Sequence, residues 1–191
     1  MPDSIKHREL PEGILLCFKF LEWPSTGNVD SLESHQGNVL IKEMAGLWYG
    51  EVNPKILTPK FEKPRLWVNG NELSVSFSHT RKAISAAMSQ NHTVGCDMEF
   101  ISREVSSSLV KRIQHPHEEN SLYTTISPVR IWTLKEAGLK MIGTGLRKPM
   151  NGVRIFQETQ HLFVVEFHDG KRAKICSFQH EEHWISICFQ K

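Results

Sequence analysis

Apolar positions along the chain fall into short blocks whose period changes from one block to the next. "GILLCFKFLEW" is a nearly continuous apolar run ending at Pro24, the pattern of a buried first strand. The polar, turn-rich "PSTGNVDSLES" predicts a loop or a poorly ordered segment. In "NVLIKEMAGLWYG", Val39, Leu40, Met44 and Leu47 recur close to helical spacing, and Gly50 suits the helix end. Residues 51–73 carry Pro54, Pro59 and Pro64, which favours extended chain with short edge strands. "ELSVSFSHT" alternates strictly, with Ser74, Ser76 and Ser78 on one side and Val75, Phe77 and His79 on the other. "KAISAAMSQ" follows as its antiparallel neighbour, then a turn at "QNHT" and a strand at "VGCDMEF".

In the second half, "REVSSSLVKRI" predicts a short helix and "QHPHEEN" a polar loop. Pro128 can open a helix at its first position, where its missing N–H costs nothing, and "VRIWTLKEAGLKMIG" carries that helix to Gly143 or Gly145. The tail "GVRIFQ", "HLFVVEFHDG", "AKICSFQ" and "WISICFQ" reads as a strand meander with "DG" as a tight turn. Each half therefore runs strand, helix, strands, although no sequence repeat is visible. The division falls at 1–92 and 93–191, within one compact unit and without an independent linker.

Composition narrows the function classes. With 23 Lys plus Arg against 21 acids among 191 residues, the net charge of +2 argues against a general nucleic-acid binder. The four cysteines show no metal-ligand spacing, which fits a reduced, cytoplasmic protein. "ILLCFKFL" is too short to span a membrane and contains Lys19, and no leader pattern precedes it.

The candidate chemistry begins at Asp97 and Glu99. Two apart on a strand, they project to one side with Gly95, while Val94, Cys96 and Met98 point to the other. Paired carboxylates are unfavourable unless a cation lies between them, and such an oxygen set suits Mg²⁺. A solvated strand edge gives the same pattern. On the "IWTLKEAGLK" helix, Ile131, Leu134, Gly138, Met141 and Ile142 form an apolar stripe. Glu136 and Lys140 lie four apart on the opposite side; by spacing alone they read as an exposed surface ion pair. His79 alone reads as a core histidine.

Together these segments resemble the 4'-phosphopantetheinyl transferases. "VGCDMEF" resembles the family's G-[IV]-D-x-E element and "WTLKEAGLK" its W-[ST]-x-K-E-[AS]-x-x-K element. "SFSHT" resembles F-N-x-S-H-S, "EKPRL" the G-K-P segment, and "QGNVLIKEM" the N-terminal helix of the larger, surfactin-synthetase-activating (Sfp) type. More than ninety residues precede Gly95, again as in that type rather than in the small trimeric synthases.

The resemblance implies an α+β fold of two similar halves, a pseudo-twofold monomer with the active site between them. It implies Mg²⁺-dependent transfer of the phosphopantetheine arm of coenzyme A to a serine of an apo acyl carrier or peptidyl carrier protein, releasing adenosine 3',5'-bisphosphate. By motif position, Asp97, Glu99 and Glu136 would hold Mg²⁺. Glu136 would also take the serine proton, directly or through water, and Lys140 would meet the pyrophosphate. Ser78, His79, Lys63 and, in support, Lys135 would contact coenzyme A. No membrane or nucleic-acid partner is implied.

Departures from the pattern concern the coenzyme. Glu62 replaces the glycine of G-K-P, Ser76 the asparagine and Thr80 the last serine. "WPSTGNVDSLESHQ" lacks the basic residues that would clamp the 3'-phosphate, leaving Lys42, Lys60, Lys63 or Arg65 to compensate. A coenzyme A- or carrier-binding paralogue with weakened turnover is the alternative reading.

Overall fold

Alternation along residues 71–90 becomes pleat. Strand β5 (Asn71–His79) pairs antiparallel with β6 (Ala83–Ser89), setting Phe77 opposite Ala86 and Ser78 opposite Ser85. The computed structural model describes residues 2–21, 29–50, 52–59 and 62–191. Ahead of this pair come β1 (Asp3–Ile5), β2 (Ile14–Phe20), α1 (Val29–Tyr49), β3 (Lys55–Leu57) and β4 (Arg65–Val68). After it come β7 (Thr93–Phe100), α2 (Ser107–Ile113), α3 (Leu122–Thr125) and α4 (Pro128–Met141). The chain closes with β8 (Val153–Gln157), β9 (Leu162–Phe167), β10 (Arg172–His180) and β11 (His183–Gln190).

The strands form two antiparallel sheets, ordered β1-β2-β6-β5-β4-β3 and β7-β11-β10-β9-β8. Apart from β1, the orders are the same: a first strand, a helix, then a meander whose last strand returns beside the first. The fold is α+β with two similar halves, as the strand-helix-strands reading predicts. Each element has a local cause. Pro128 occupies the first turn of α4, Ser106 caps α2 by accepting from the Leu109 amide, and Gly170 (φ +77°) makes the tight turn after Phe167.

Three buried clusters set the layers. Leu40, Ile41 and Met44 of α1 pack on Leu66, Val75 and Met88 of the first sheet. Leu16, Phe18 and Ala87 meet Cys96, Met98, Ile185 and Ile187 between the sheets. Ile131, Leu134 and Ala137 of α4 pack on Phe163, Val165 and Ile175 of the second sheet. Each Leu, Ile, Val, Phe or Met side chain so removed from water stabilises the fold by roughly 1.5–3 kcal/mol. All four cysteines are buried free thiols. Among the described residues no helix is long and apolar enough to cross a membrane.

The structure departs from the sequence reading in four places. Helix α1 starts at Val29, inside the stretch expected to be a loop. The short β1 and α3 carry no sequence pattern strong enough to predict them. Helix α4 is buried on nearly every side from Val129 to Leu139, so Glu136 is an interior acid and not half of a surface pair. Ile142 leaves the apolar stripe because the helix ends before it, and it is 38% exposed.

Candidate functional site

Gly95 determines how β7 and α4 meet. A Cβ built on it would lie 2.1 Å from the Ala137 carbonyl oxygen and 2.4 Å from the Met141 nitrogen. Only glycine lets the α4 backbone cross β7 so closely. Asp97 and Glu99, on the same strand face, are thereby carried to the helix face that bears Glu136 and Lys140. The spacing of Gly95, Asp97 and Glu99 is legible in the sequence; the object approaching the glycine is helix α4 itself.

Lys140 Nζ donates to Asp97 Oδ1 at 2.8 Å and to Ser78 Oγ at 3.1 Å, and Ser78 Oγ donates to the same Asp97 oxygen at 2.9 Å. This triangle joins β5, β7 and α4, and so both halves of the chain. Burial opposes the charge on Lys140, but Asp97 and Glu136 outweigh it and hold its pKa above the ordinary lysine value. Burial, reinforced by Asp97 and opposed by Lys140, pushes the Glu136 carboxyl up to about 7. Glu99 is raised chiefly by burial and then by Asp97, against the pull of Arg103.

The carboxylate cluster holds more acceptor capacity than the protein satisfies. Among the described residues, Asp97 Oδ2 and Glu136 Oε2 are buried without a hydrogen-bond donor. Such orphan oxygens are costly, and a hard, oxygen-seeking cation is the group that would satisfy them. Glu99 differs, because its carboxylate is ion-paired with Arg103. Among the described residues, no three His, Cys, Asp or Glu side chains stand as a ready cation-binding group. Glu99 Oε1 is engaged by Arg103 and Asp97 Oδ1 by Lys140 and Ser78, so the three acids fit a divalent cation in residue type, and Asp97 and Glu136 also in a buried oxygen without a donor among the described residues.

Beside Lys140 opens a cavity of about 290 Å³ lined by Lys63, Pro64, Ser76, Phe77, Thr144 and Arg147. It adjoins a larger one of about 600 Å³ that shares Glu62, Lys63, Pro64 and Gly143. Lys63 donates to the Val94 carbonyl at 2.5 Å and to Ser74 Oγ at 2.8 Å, and burial pushes its pKa down to about 8.

Other predicted contacts scatter. His79 is half-buried on the face of β5 opposite Ser78, Lys42 is exposed on α1, and Lys60 lies outside the described residues. Lys135 requires a correction. It is wholly buried and donates to the Ile113 carbonyl at 2.7 Å, the Val153 carbonyl at 2.7 Å and Glu118 Oε2 at 2.8 Å. With Nζ enclosed in this way it is a structural lysine and not a coenzyme contact. It stands next to Glu136 in sequence, but the helix turns consecutive residues about 100° apart. Its partner Glu118, in the expected polar loop, and Arg103 escape the sequence reading altogether. Neither follows a periodic pattern, and both pairings are set by the fold.

A strand acid pair, an interior glutamate and a lysine ion-paired with one of the acids thus lie where β7 meets α4. The profile of the 4'-phosphopantetheinyl transferase superfamily matches residues 93–188, and the chain belongs to that superfamily. It is similar to a curated relative, the 4'-phosphopantetheinyl transferase gsp of Aneurinibacillus migulanus, with 29% identity over 161 residues. The match covers 80% of this chain, which spans 65% of the length of that relative.

Proposed function

We propose that the protein transfers the 4'-phosphopantetheine arm of coenzyme A to a serine hydroxyl of an apo acyl carrier or peptidyl carrier protein. The observation that carries this reading is the Lys140–Asp97 ion pair beside Glu136, whose carboxyl also feels Glu99, with two buried carboxylate oxygens left without donors among the described residues. Asp97, Glu99 and Glu136 would hold Mg²⁺, which would neutralise charge on the pyrophosphate as the leaving group departs.

The remaining work falls to the chain's own side chains. Lys140, kept charged by Asp97 and Glu136, meets a pyrophosphate oxygen as a point charge. Ser78 orients both Lys140 and Asp97, and its hydroxyl proton, given to Asp97 in the unliganded site, would turn to the same phosphate. Glu136, with its carboxyl poised at about 7, accepts the serine proton directly or through one water. The new bond joins the serine oxygen to the β-phosphorus, the bond from that phosphorus to the bridging oxygen breaks, and adenosine 3',5'-bisphosphate leaves.

The nucleotide end fits the cavity beside Lys63 and Arg147, where a phosphate would restore the charge that burial weakens on Lys63. His79 and Lys42 are further proposed phosphate contacts from the first half. An acidic carrier would be steered by exposed Arg147 and by Lys148 and Arg154.

The test is incubation with coenzyme A, Mg²⁺ and an apo carrier protein, read by intact mass. A gain of one phosphopantetheine arm with wild type, lost in Glu136→Gln and Asp97→Asn, is the expected result. Coenzyme A binding with no modification of acyl or peptidyl carriers would overturn the transfer reading in favour of a binding paralogue.

A further inference from the structure

Arg103 has no part in the proposed transfer, yet it touches the site at two points. It follows β7 in a tight turn, its amide donating to the Phe100 carbonyl at 3.0 Å. Its Nη1 is ion-paired with Glu99 Oε1, and its guanidinium carbon lies 4.7 Å over the ring of Trp132. Trp132 stands on α4 one turn before Glu136, so a single helix carries both the platform for Arg103 and the central acid of the site. The pair is at the rim, with the Arg103 and Glu99 side chains 33% and 23% exposed, so it can open without disturbing the core.

The three acids are not equivalent. Among the described residues, Asp97 and Glu136 each keep a buried oxygen without a donor; Asp97 is paired through its other oxygen with the buried Lys140, whereas Glu99 is paired with Arg103 at the rim, where the pair can open. A divalent ion drawn to the two free oxygens therefore meets a competitor for the third acid. The stack on Trp132 gives Arg103 a seat that does not depend on Glu99, because the face of an indole ring attracts a guanidinium by itself.

We propose that Arg103 is a resident counter-cation: it holds Glu99 until a divalent cation binds, then releases that carboxylate to the ion while staying on Trp132. This sets the cation affinity of the site below what its three acids alone would give. It also lessens the repulsion that Glu99 exerts on Asp97 and Glu136 when no ion is bound. The inference rests on the reading of Asp97, Glu99 and Glu136 as cation ligands.

The test is a direct binding titration with Mn²⁺ as the probe, following free Mn²⁺ by electron paramagnetic resonance, on wild type, Arg103→Gln, Arg103→Lys and Glu136→Gln. Removal of the competing charge is expected to tighten Mn²⁺ binding in Arg103→Gln by about fivefold, the scale of a partly exposed ion pair. Arg103→Lys, which keeps the charge, should stay nearer to wild type. Wild-type Trp132 emission should change with added Mn²⁺, and this change should be absent in Trp132→Phe. Affinity in Arg103→Gln equal to or weaker than wild type would overturn the inference, since Arg103 would then be neutral toward the ion or would hold Glu99 in place for it. If Glu136→Gln binds Mn²⁺ as wild type does, the cation reading of the site itself fails, and the inference with it.

Discussion

The hydroxyl of Ser76 on β5 accepts the amide hydrogen of Cys96 on β7 at 2.9 Å, across the junction of the two sheets. Strand β7 is the edge of the second sheet, so its outward amides have no ladder partner. Ser74 takes the Val94 amide at 3.0 Å, and Ser78, further along the same stripe, turns to the Asp97 side chain. Thr80 continues the stripe to His183 on β11. The alternating hydroxyls of one strand thus dock the other half of the molecule and aim its first acid.

Ser76→Ala should therefore cost about 1–2 kcal/mol of stability, the penalty of a buried amide left unsatisfied. Ser76 is 4% exposed, so water cannot easily replace it. Urea denaturation of the two proteins measures the difference. A change within a few tenths of a kcal/mol would mean that the hydroxyl stripe is incidental.

Gly95→Ala should be far more damaging, above about 3 kcal/mol or with loss of folding, because the new methyl collides with α4 backbone and not with a movable side chain. Gly138→Ala meets only side chains, Val165 at 3.3 Å and the Phe167 ring at 3.5 Å, and should be milder. Gly46→Ala, inside α1 with nothing within 4 Å, should gain about 0.5–1 kcal/mol from helix propensity. Thermal melts of the three variants check this order. A Gly95→Ala protein that melts with Gly138→Ala would refute the close crossing.

The features carried by local pattern were legible before any coordinates. The alternation of Ser74, Ser76 and Ser78, the shared face of Gly95, Asp97 and Glu99, and the four-residue spacing of Glu136 and Lys140 each follow from one period. Features requiring two distant segments were not. That Lys135 turns inward to Glu118, that Arg103 lies on Trp132 and that the serines face β7 depend on how the sheets stack, which no period encodes. The first half also carries a strand-to-helix ion pair, Lys19 of β2 with Glu43 of α1 at 2.8 Å, but this pair is partly exposed.

The Lys135–Glu118 pair predicts a separation of stability from ligand binding. Both side chains are fully buried, and Glu118 also accepts from the Ile155 amide at 2.8 Å and the Tyr123 hydroxyl at 2.7 Å. Glu118→Gln leaves a buried ammonium without its counter-charge and should cost about 3 kcal/mol or more. Lys135→Met, where it folds, should keep its affinity for coenzyme A, measured by calorimetry. Lys140→Met should weaken that affinity about tenfold through the lost charge-assisted contact. Equal weakening in both lysine variants would restore Lys135 to the ligand site.

His183 gives the fold an acid limit. It is 1% exposed, its Nε2 lies 3.0 Å from Thr80 Oγ1, and its buried Nδ1 has no partner. Burial, aided by Lys82 and His180 against Glu182 and Glu181, holds its pKa below the ordinary value of 6.5. The folded state therefore binds the His183 proton less readily than the unfolded chain. This contribution to stability is complete above pH 6.5 and is lost as pH falls through the folded value, because the unfolded state takes up the proton first. Denaturation midpoints measured from pH 8 to 5 should decline more steeply in wild type than in His183→Gln, which cannot titrate. Parallel declines in the two proteins would show that His183 is not the residue sensing acid at the junction of the halves.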